Sequence, residues 1–218
     1  MIKKILLVCG MLCSLFVFVT DILAAMIWQD YSYIDQSVSE LSAIGTPTRF
    51  FVVPLLITSA LLGTIFGIGV LLAAGKKSAL RITGILLIIF GVVCSMNLLF
   101  PMNLRGTEQS FTGIMHLLFT GINIVLIILF IGFGAAARGK GFRIFSTLII
   151  LAILIFGAFI AMQAPHVEAG LPTPLLGAIE RVSYYSPYLW ITVFALVLLL
   201  DQSNTTISSS QTSGYSQI

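Results

Sequence analysis

Six long apolar runs, separated by short polar segments, set the hydrophobic pattern of the chain. They lie at about residues 5–28, 50–75, 82–100, 110–137, 144–163 and 183–200. About 20 apolar residues in a helix cross the hydrocarbon core of a bilayer, which is about 30 Å thick. The pattern therefore predicts an all-α protein, a polytopic bundle of six transmembrane helices formed by residues 1–201. The sixth run is the shortest and contains Pro187, which we expect to kink or start the helix.

The two ends of the sequence need a separate interpretation. Lys3 and Lys4 precede an apolar stretch that ends near Ala24 and Ala25, so the first run could be a cleaved signal peptide. The apolar region is longer than a typical signal core, however, and Asp21 would lie beside the cut, so we favour a retained helix. Residues 202–218 are rich in Ser, Thr and Gln without apolar periodicity, which predicts a disordered cytoplasmic tail.

Basic residues are distributed unequally between the loops. Eight of the 11 Lys and Arg residues lie at the N-terminus and in the loops at residues 76–81 and 138–143. Such an excess marks the cytoplasmic side of a membrane protein. The distribution predicts a protein of the cytoplasmic (inner) membrane with both termini in the cytoplasm, and longer loops outside.

Composition excludes several classes of protein. The chain is 58% hydrophobic and only 9% charged, whereas soluble domains carry about 25% charged residues. A soluble protein, a nucleic-acid binder and a disordered chain are therefore excluded, and membrane lipids are the expected partners. Three cysteines lie within apolar runs without a CxxC pair, which argues against redox chemistry. We expect no cofactor, and the sequence leaves the oligomeric state open.

Two ionisable residues lie inside predicted helices, near their outer ends. Asp21 precedes Trp28 by seven residues, which places it roughly 10 Å below the outer surface. His116 lies on a polar stripe of the fourth helix, at a similar depth. Polar side chains at such depth are costly and usually face the interior of a bundle. If the first and fourth helices are neighbours, Asp21 and His116 come within reach of each other.

Further polar side chains gather at the same outer side. Together with His116 and Asp21, the loop carboxylates Asp35 and Glu40 are the candidate catalytic groups. The candidate ligand-binding residues are Tyr33, Ser37, Arg49, Asn97, Arg105, Thr112, Thr120, Asn123, Gln163 and Arg181. The inner half of the bundle offers no comparable group.

Turn and cap signals shape the external loops. Ser37 followed by Glu40 forms a capping box and Gly45 supplies a stop, which predicts a short interfacial helix over about residues 38–44. Thr46 before Pro47 is a helix-start signal for the second span. Thr173 before Pro174 likewise predicts a short helix before the sixth span.

Two of these outer segments resemble a known family. The residues are Tyr33, Asp35-Gln36-Ser37, Ser39-Glu40-Leu41, Gly45 and Pro47-Thr48, then Phe100-Pro101, Thr112-Gly113 and His116. The pattern, over about residues 5–200, resembles the bacterial and archaeal membrane family known as domain of unknown function 998. That family often has an acidic residue after Phe-Pro, whereas this chain has Asn103. The resemblance implies six helices and no defined activity.

His116 has two possible roles. Beside Asp21, Asp35 or Glu40 it would be a general base or a metal ligand; alternatively it makes an interhelix hydrogen bond that serves packing. Zinc takes three or four ligands, and the two histidines have no metal-ligand spacing, so we expect no metal site. The chain also lacks a GxSxG motif, a P-loop and a dinucleotide fingerprint.

Three functions remain open. The first is binding of a lipid-like or amphiphilic ligand in a polar cavity that opens to the outer leaflet, and we favour it. The second is an intramembrane lipid hydrolase or transferase that uses His116. The third is a proton-coupled transporter, which is disfavoured because the inner half lacks a polar pathway.

Overall fold

The computed structural model describes residues 2–215, with side chains to residue 202. Its six α-helices are all long and apolar enough to cross a membrane. They are α1 Ile2–Ile27, α2 Arg49–Ala73, α3 Ser78–Leu99, α4 Phe111–Ala136, α5 Lys140–Glu168 and α6 Leu176–Tyr215, with a 3₁₀-helix at Val38–Ser42. The described residues contain no β-strand. The all-α fold with six membrane-spanning helices is therefore confirmed.

The sixth span begins earlier than the apolar run suggests. The described stretch of α6 that is long and apolar enough to cross a membrane is Leu176–Gln202, and it starts about seven residues earlier than predicted. The charges of Glu180 and Arg181 lower the local hydropathy, so the apolar run alone places the start too late. The separate short helix predicted after Thr173–Pro174 is wrong, because this segment leads directly into α6, which continues through Pro187. The predicted disordered tail falls largely outside the described side chains and stays a prediction.

The helices form a ring in which each packs on its neighbours in sequence. α1 also packs against α6 and so closes the ring, while α4 and α5 make the weakest contact between neighbours. One end of the bundle, called here the loop end, carries residues 28–48, 100–110 and 169–175. The other, called the basic end, carries the short loops after α2 and α4.

The two halves of the bundle are built differently. Towards the basic end, large rings fill the space between helices, with Trp190, Phe130 and Phe194 completely buried. The Trp190 indole N–H donates to Ser146 Oγ at 2.8 Å, so the one polar atom of the ring is satisfied. Towards the loop end, buried charged side chains such as Asp21 and Glu40 lie beside a small apolar cluster that includes Leu41 and Val52. The candidate site therefore lies in the loop-end half.

Candidate functional site

The first loop is shaped by the predicted capping box. Ser37 Oγ accepts from the Glu40 N–H at 3.3 Å, and the Ser37 N–H donates to Glu40 Oε1 at 3.0 Å. The helix it starts is a 3₁₀-helix that ends at Ser42 rather than an α-helix to residue 44, and Gly45 takes a φ of 87°. α2 begins at Arg49 instead of Pro47, because the Thr46 and Thr48 hydroxyls donate to carbonyls of the preceding turn instead of capping α2.

Asp21 and Arg181 form a buried ion pair between α1 and α6. Arg181 Nε donates to Asp21 Oδ2 at 2.8 Å, and Nη2 donates to Oδ1 at 2.9 Å. Both residues are less than 5% exposed. A bidentate arginine–carboxylate contact of this kind is strong and geometrically specific. It therefore fixes the position of the start of α6 against α1.

Three tyrosines complete this group. The Tyr33 hydroxyl donates to Asp21 Oδ2 at 3.0 Å, and the Tyr31 oxygen accepts from Arg181 Nη2 at 2.9 Å. The Tyr185 hydroxyl also donates to Asp21 Oδ2. The guanidinium lies over the Tyr33 ring, 3.4 Å from its centroid. We call Asp21, Tyr31, Tyr33, Arg181 and Tyr185 the closed cluster, since its charges are neutralised and hydrogen-bonded within the protein.

The expected pairing of Asp21 with His116 is not formed. α1 packs against α2 and α6 rather than α4, so the polar face of α1 meets Arg181. Among the described residues, the hydrogen-bonding partners of Asp21 are Arg181, Tyr33 and Tyr185. Asp21 and His116 therefore belong to two separate polar groups at the loop end.

A second ion pair and the hydrogen bonds around it join the three loops. Arg105 donates to both Glu40 oxygens, through Nε at 2.8 Å and Nη2 at 2.7 Å, and Glu40 is completely buried. Arg105 Nη1 also reaches Thr173 Oγ1 at 3.3 Å, and the Thr173 hydroxyl donates to the Asp35 carbonyl at 2.8 Å. We call Asp35, Glu40, Arg105 and Thr173 the loop clasp.

The loop clasp depends on ionised carboxylates. Burial alone would raise the pKa of Glu40, but hydrogen bonds from Arg105, Ser37 and Gln36 outweigh it and hold the pKa below its usual range. For Asp35, the Leu175 N–H and the Ser32 hydroxyl lower the pKa. Both carboxylates are therefore ionised at neutral pH, and both are occupied by contacts within the protein.

The third feature is a cavity of about 170 Å³ between α4, α5, the loop at residues 100–110 and the start of α6. Its polar lining comes from Ser37, Ser39, Asn103, Thr107, Gln109, His116, Thr120, Glu168 and Glu180. Apolar side chains, among them Leu117 and Ile160, line the part between the helices. The cavity therefore has a polar region beside an apolar one.

The cavity exists because α4 and α5 separate towards the loop end. α5 buries only Ser146, Ile149 and Ile153, all in its first half. Between Gly113 and Asn123, α4 buries no residue. At the rim, Gly106 and Gly170 have positive φ angles, and a Cβ on Gly106 would lie 3.3 Å from the Gly170 Cα, so the two loops touch through bare backbone. This backbone contact joins the loop before α4 to the loop after α5.

His116 presents one ring nitrogen that the described residues leave unbound. Nδ1 lies 3.0 Å from the Phe100 carbonyl oxygen. A carbonyl only accepts, so Nδ1 carries the proton and Nε2 is left with its lone pair. Phe100 is itself held by stacking on Phe119, with centroids 5.3 Å apart. The imidazole is therefore oriented by the protein and lines the cavity as an acceptor.

Two cavity carboxylates were not among the predicted site residues. Glu180 Oε2 accepts from the Val38 N–H at 2.8 Å, and Glu168 Oε1 accepts from Gln109 Nε2 at 2.6 Å. The sequence places both in an external loop, because the predicted spans end at 163 and resume at 183. Their side chains instead belong to the last turn of α5 and the first turns of α6. The available signal was the adjacent pair Glu180 and Arg181, two charges that the predicted boundaries left outside the sixth span.

The remaining predicted residues are spread over several places. Thr112 hydrogen-bonds to the cap residue Ser110, and Arg49 donates to the Ser42 carbonyl. Asn97 reaches Thr120 at 3.5 Å, and the Asn123 side chain accepts from Cys94. Gln163 lies half-buried on α5, outside the cavity lining found in the described chain. Of the candidate residues, only Ser37, His116 and Thr120 line the cavity.

Over residues 2–202, no three His, Cys, Asp or Glu side chains form a group that could hold a metal.

Comparisons with known proteins give a family and nothing finer. A family model described as "Protein of unknown function (DUF998)" matches residues 11–197. Neither a curated protein nor a solved structure matches the chain.

Proposed function

The chain belongs to the DUF998 family of proteins of unknown function, and for this multi-pass membrane protein we propose that it binds a lipid-like, amphiphilic ligand in the cavity between α4 and α5. The polar head lies against His116 and its neighbours. The apolar chain lies in the open cleft along Leu117 and Ile160.

The observation that carries this proposal is a cavity in which polar groups such as His116 lie beside an apolar cleft lined by exposed side chains such as Leu117. Its volume of about 170 Å³ is close to that of engineered cavities that hold benzene, which are about 150 Å³. A whole lipid does not fit in such a space. A head group with its first methylenes does, and the rest of the chain then remains in the leaflet between α4 and α5.

An enzyme acting on the same ligand is the second candidate. It is favoured by the orientation of His116, whose Nε2 is available as a general base. Asp21, Asp35 and Glu40 are held in the closed cluster and the loop clasp, so the supporting carboxylate would be Glu180 or Glu168. A hydrolase or transferase of this kind would release a product from a lipid substrate, whereas a binding protein would leave it intact.

A proton-coupled transporter has less support. Asp21 is neutralised by Arg181, and the half of the bundle towards the basic end is filled by rings such as Trp190 and Phe130. A carrier needs access from both sides of the membrane.

The basic end is placed in the cytoplasm in this proposal. Eight of 11 Lys and Arg residues favour that side, so the cavity opens to the outer leaflet of a bacterial inner membrane and both termini are cytoplasmic. A reporter enzyme that folds only outside the cytoplasm, fused after residue 202, should be inactive. Activity of that fusion would indicate the opposite orientation.

The binding proposal is tested by blocking the cleft. A dodecanol probe with a diazirine near the chain end should label α4 and α5 in the wild-type protein. Leu117→Trp fills the cleft and should abolish that labelling. Leu118→Trp adds the same bulk to a neighbouring exposed position outside the cavity lining and should leave it unchanged. Equal labelling of the two variants would contradict the proposal. Cleavage of an added lipid ester by the purified protein would favour the enzyme.

A further inference from the structure

We infer that the head group bound in the cavity is an ammonium, a cationic hydrogen-bond donor, recognised by Glu180 with help from Glu168 and His116. This inference rests on the proposed binding function and names the chemical class of its ligand. Its basis is the balance of donors, acceptors and charges that the cavity presents.

Hydrogen-bond acceptors dominate the polar groups of the lining that have no partner within the described part of the protein. Glu180 uses Oε2 for the Val38 N–H, and Glu168 uses Oε1 for Gln109. Neither second carboxylate oxygen has a hydrogen-bond partner among the described residues, and both side chains line the cavity. His116 adds the Nε2 lone pair. The residues that line the cavity therefore carry three acceptor atoms without a partner in the described chain, which a ligand with several N–H donors would satisfy.

The charge that the lining can carry has one sign. Glu168 and Glu180 are its ionisable carboxyl residues, and the part of the chain that the structure describes contributes no Lys or Arg to it. The two arginines that lie next to lining residues in the sequence are engaged elsewhere. Arg105 pairs with Glu40, and Arg181 pairs with Asp21. An anionic head such as a sulfate or a lone phosphate would meet repulsion here, whereas an ammonium would be attracted.

Glu180 is the residue that most requires such a partner. It lies within the first turns of a membrane-spanning helix, where a carboxylate is costly unless it is paired. Val38 supplies one backbone N–H, a neutral donor, and the neighbouring Arg181 has its guanidinium directed to Asp21. A bound ammonium would supply the missing positive charge and hydrogen bonds at the same time.

The test compares two probes that differ only in the head group. Dodecylamine and dodecanol, each with the same chain diazirine, are photolysed with the full-length protein in phosphatidylglycerol nanodiscs. Labelling of α4 and α5 is normalised to labelling of α1 and α2, which corrects for membrane partitioning. We expect the amine to label the cleft about tenfold more than the alcohol, a difference of about 1.4 kcal/mol.

Two carboxamide variants locate the effect. Glu180→Gln keeps an oxygen for the Val38 N–H and should reduce amine labelling to the level of the alcohol. Glu108→Gln removes the same charge from an exposed position at the loop end, outside the cavity lining, and should behave as wild type. Thermal unfolding of both variants verifies that they are folded.

The outcomes separate this inference from the proposed function. Equal labelling by amine and alcohol, or full amine labelling of Glu180→Gln, would overturn the ammonium inference and leave the binding proposal intact. Absence of cleft labelling by either probe would overturn both. Loss of amine labelling when phosphatidylethanolamine is added to the nanodisc would identify a lipid head as the source of the ammonium. Amine labelling that persists with this lipid present would identify a free amine.

Discussion

The closed cluster and the cavity lie at the same end of the bundle, and each is centred on an ionisable side chain that interrupts an apolar helix. Around Asp21, the carboxylate meets a guanidinium and two hydroxyls. Around His116 and Glu180, acceptor atoms face open space. A polar group in a membrane helix needs partners. Where the protein supplies them all, the group serves the structure; where it leaves some unsupplied, a ligand is the expected partner.

The largest effect is expected from unpairing the closed cluster. Arg181→Leu leaves Asp21 buried without its cation, which typically costs about 3–5 kcal/mol. Asp21→Leu should be similarly harmful. The double variant should lose less than the sum of the two, by at least about 1.5 kcal/mol, because neither charge is left alone. Thermal unfolding in nanodiscs measures the three variants, and strict additivity would show that the two residues do not act as a pair.

A smaller effect, confined to acid, is expected from the loop clasp. The folded protein lowers the pKa of Glu40 below its ordinary value of 4.5. Stability from this group is therefore complete above that value and is lost as the pH falls through the lower, folded pKa. The apparent melting temperature should decline in this acid range, and Asp35 adds to the decline in the same direction.

Glu40→Gln provides the control for that acid decline. The variant should be less stable than the wild type at pH 7 and should lose much of the dependence on acid, since the titrating group is gone. If the melting temperature of Glu40→Gln falls in acid as much as that of the wild type, the decline comes from other carboxylates.

The smallest effect is expected at the basic end. Lys76 is exposed in the short loop after α2, and Lys76→Gln should change the free energy of unfolding by less than about 0.5 kcal/mol, as is usual for surface positions. Probe labelling of the cleft should also be unchanged. A loss comparable to that of the closed-cluster variants would remove the distinction between the two ends of the bundle.

Local patterns predicted the helices and the capping box well, because both depend on short stretches of sequence. Six apolar runs were enough to locate six spans, and Ser37 with Glu40 was enough to locate the start of the loop helix. The charged start of α6 was missed because hydropathy falls where Glu180 and Arg181 enter the span. The charge of Arg181 is compensated by Asp21, which is far away in sequence and which hydropathy does not register.

Pairing between helices could not be predicted in the same way. Asp21 and His116 lie at similar depths, but depth does not determine which helices are neighbours. The actual partner of Asp21 is Arg181, 160 residues away, and it was predicted only as a ligand-binding residue. The carboxylates of the cavity depend on where α5 ends and α6 begins, so an error of a few residues in those boundaries placed them in a loop.

The comparison of thermal unfolding between Asp21→Asn and His116→Ala tests the central claim most directly. Asp21→Asn leaves Arg181 uncompensated and should cost about 3–5 kcal/mol. His116→Ala loses one hydrogen bond, to Phe100, and should cost no more than about 1.5 kcal/mol, while the protein remains folded and loses the labelled ligand. Equal destabilisation by the two changes, or a stable His116→Ala that keeps the ligand in the cleft, would contradict the account.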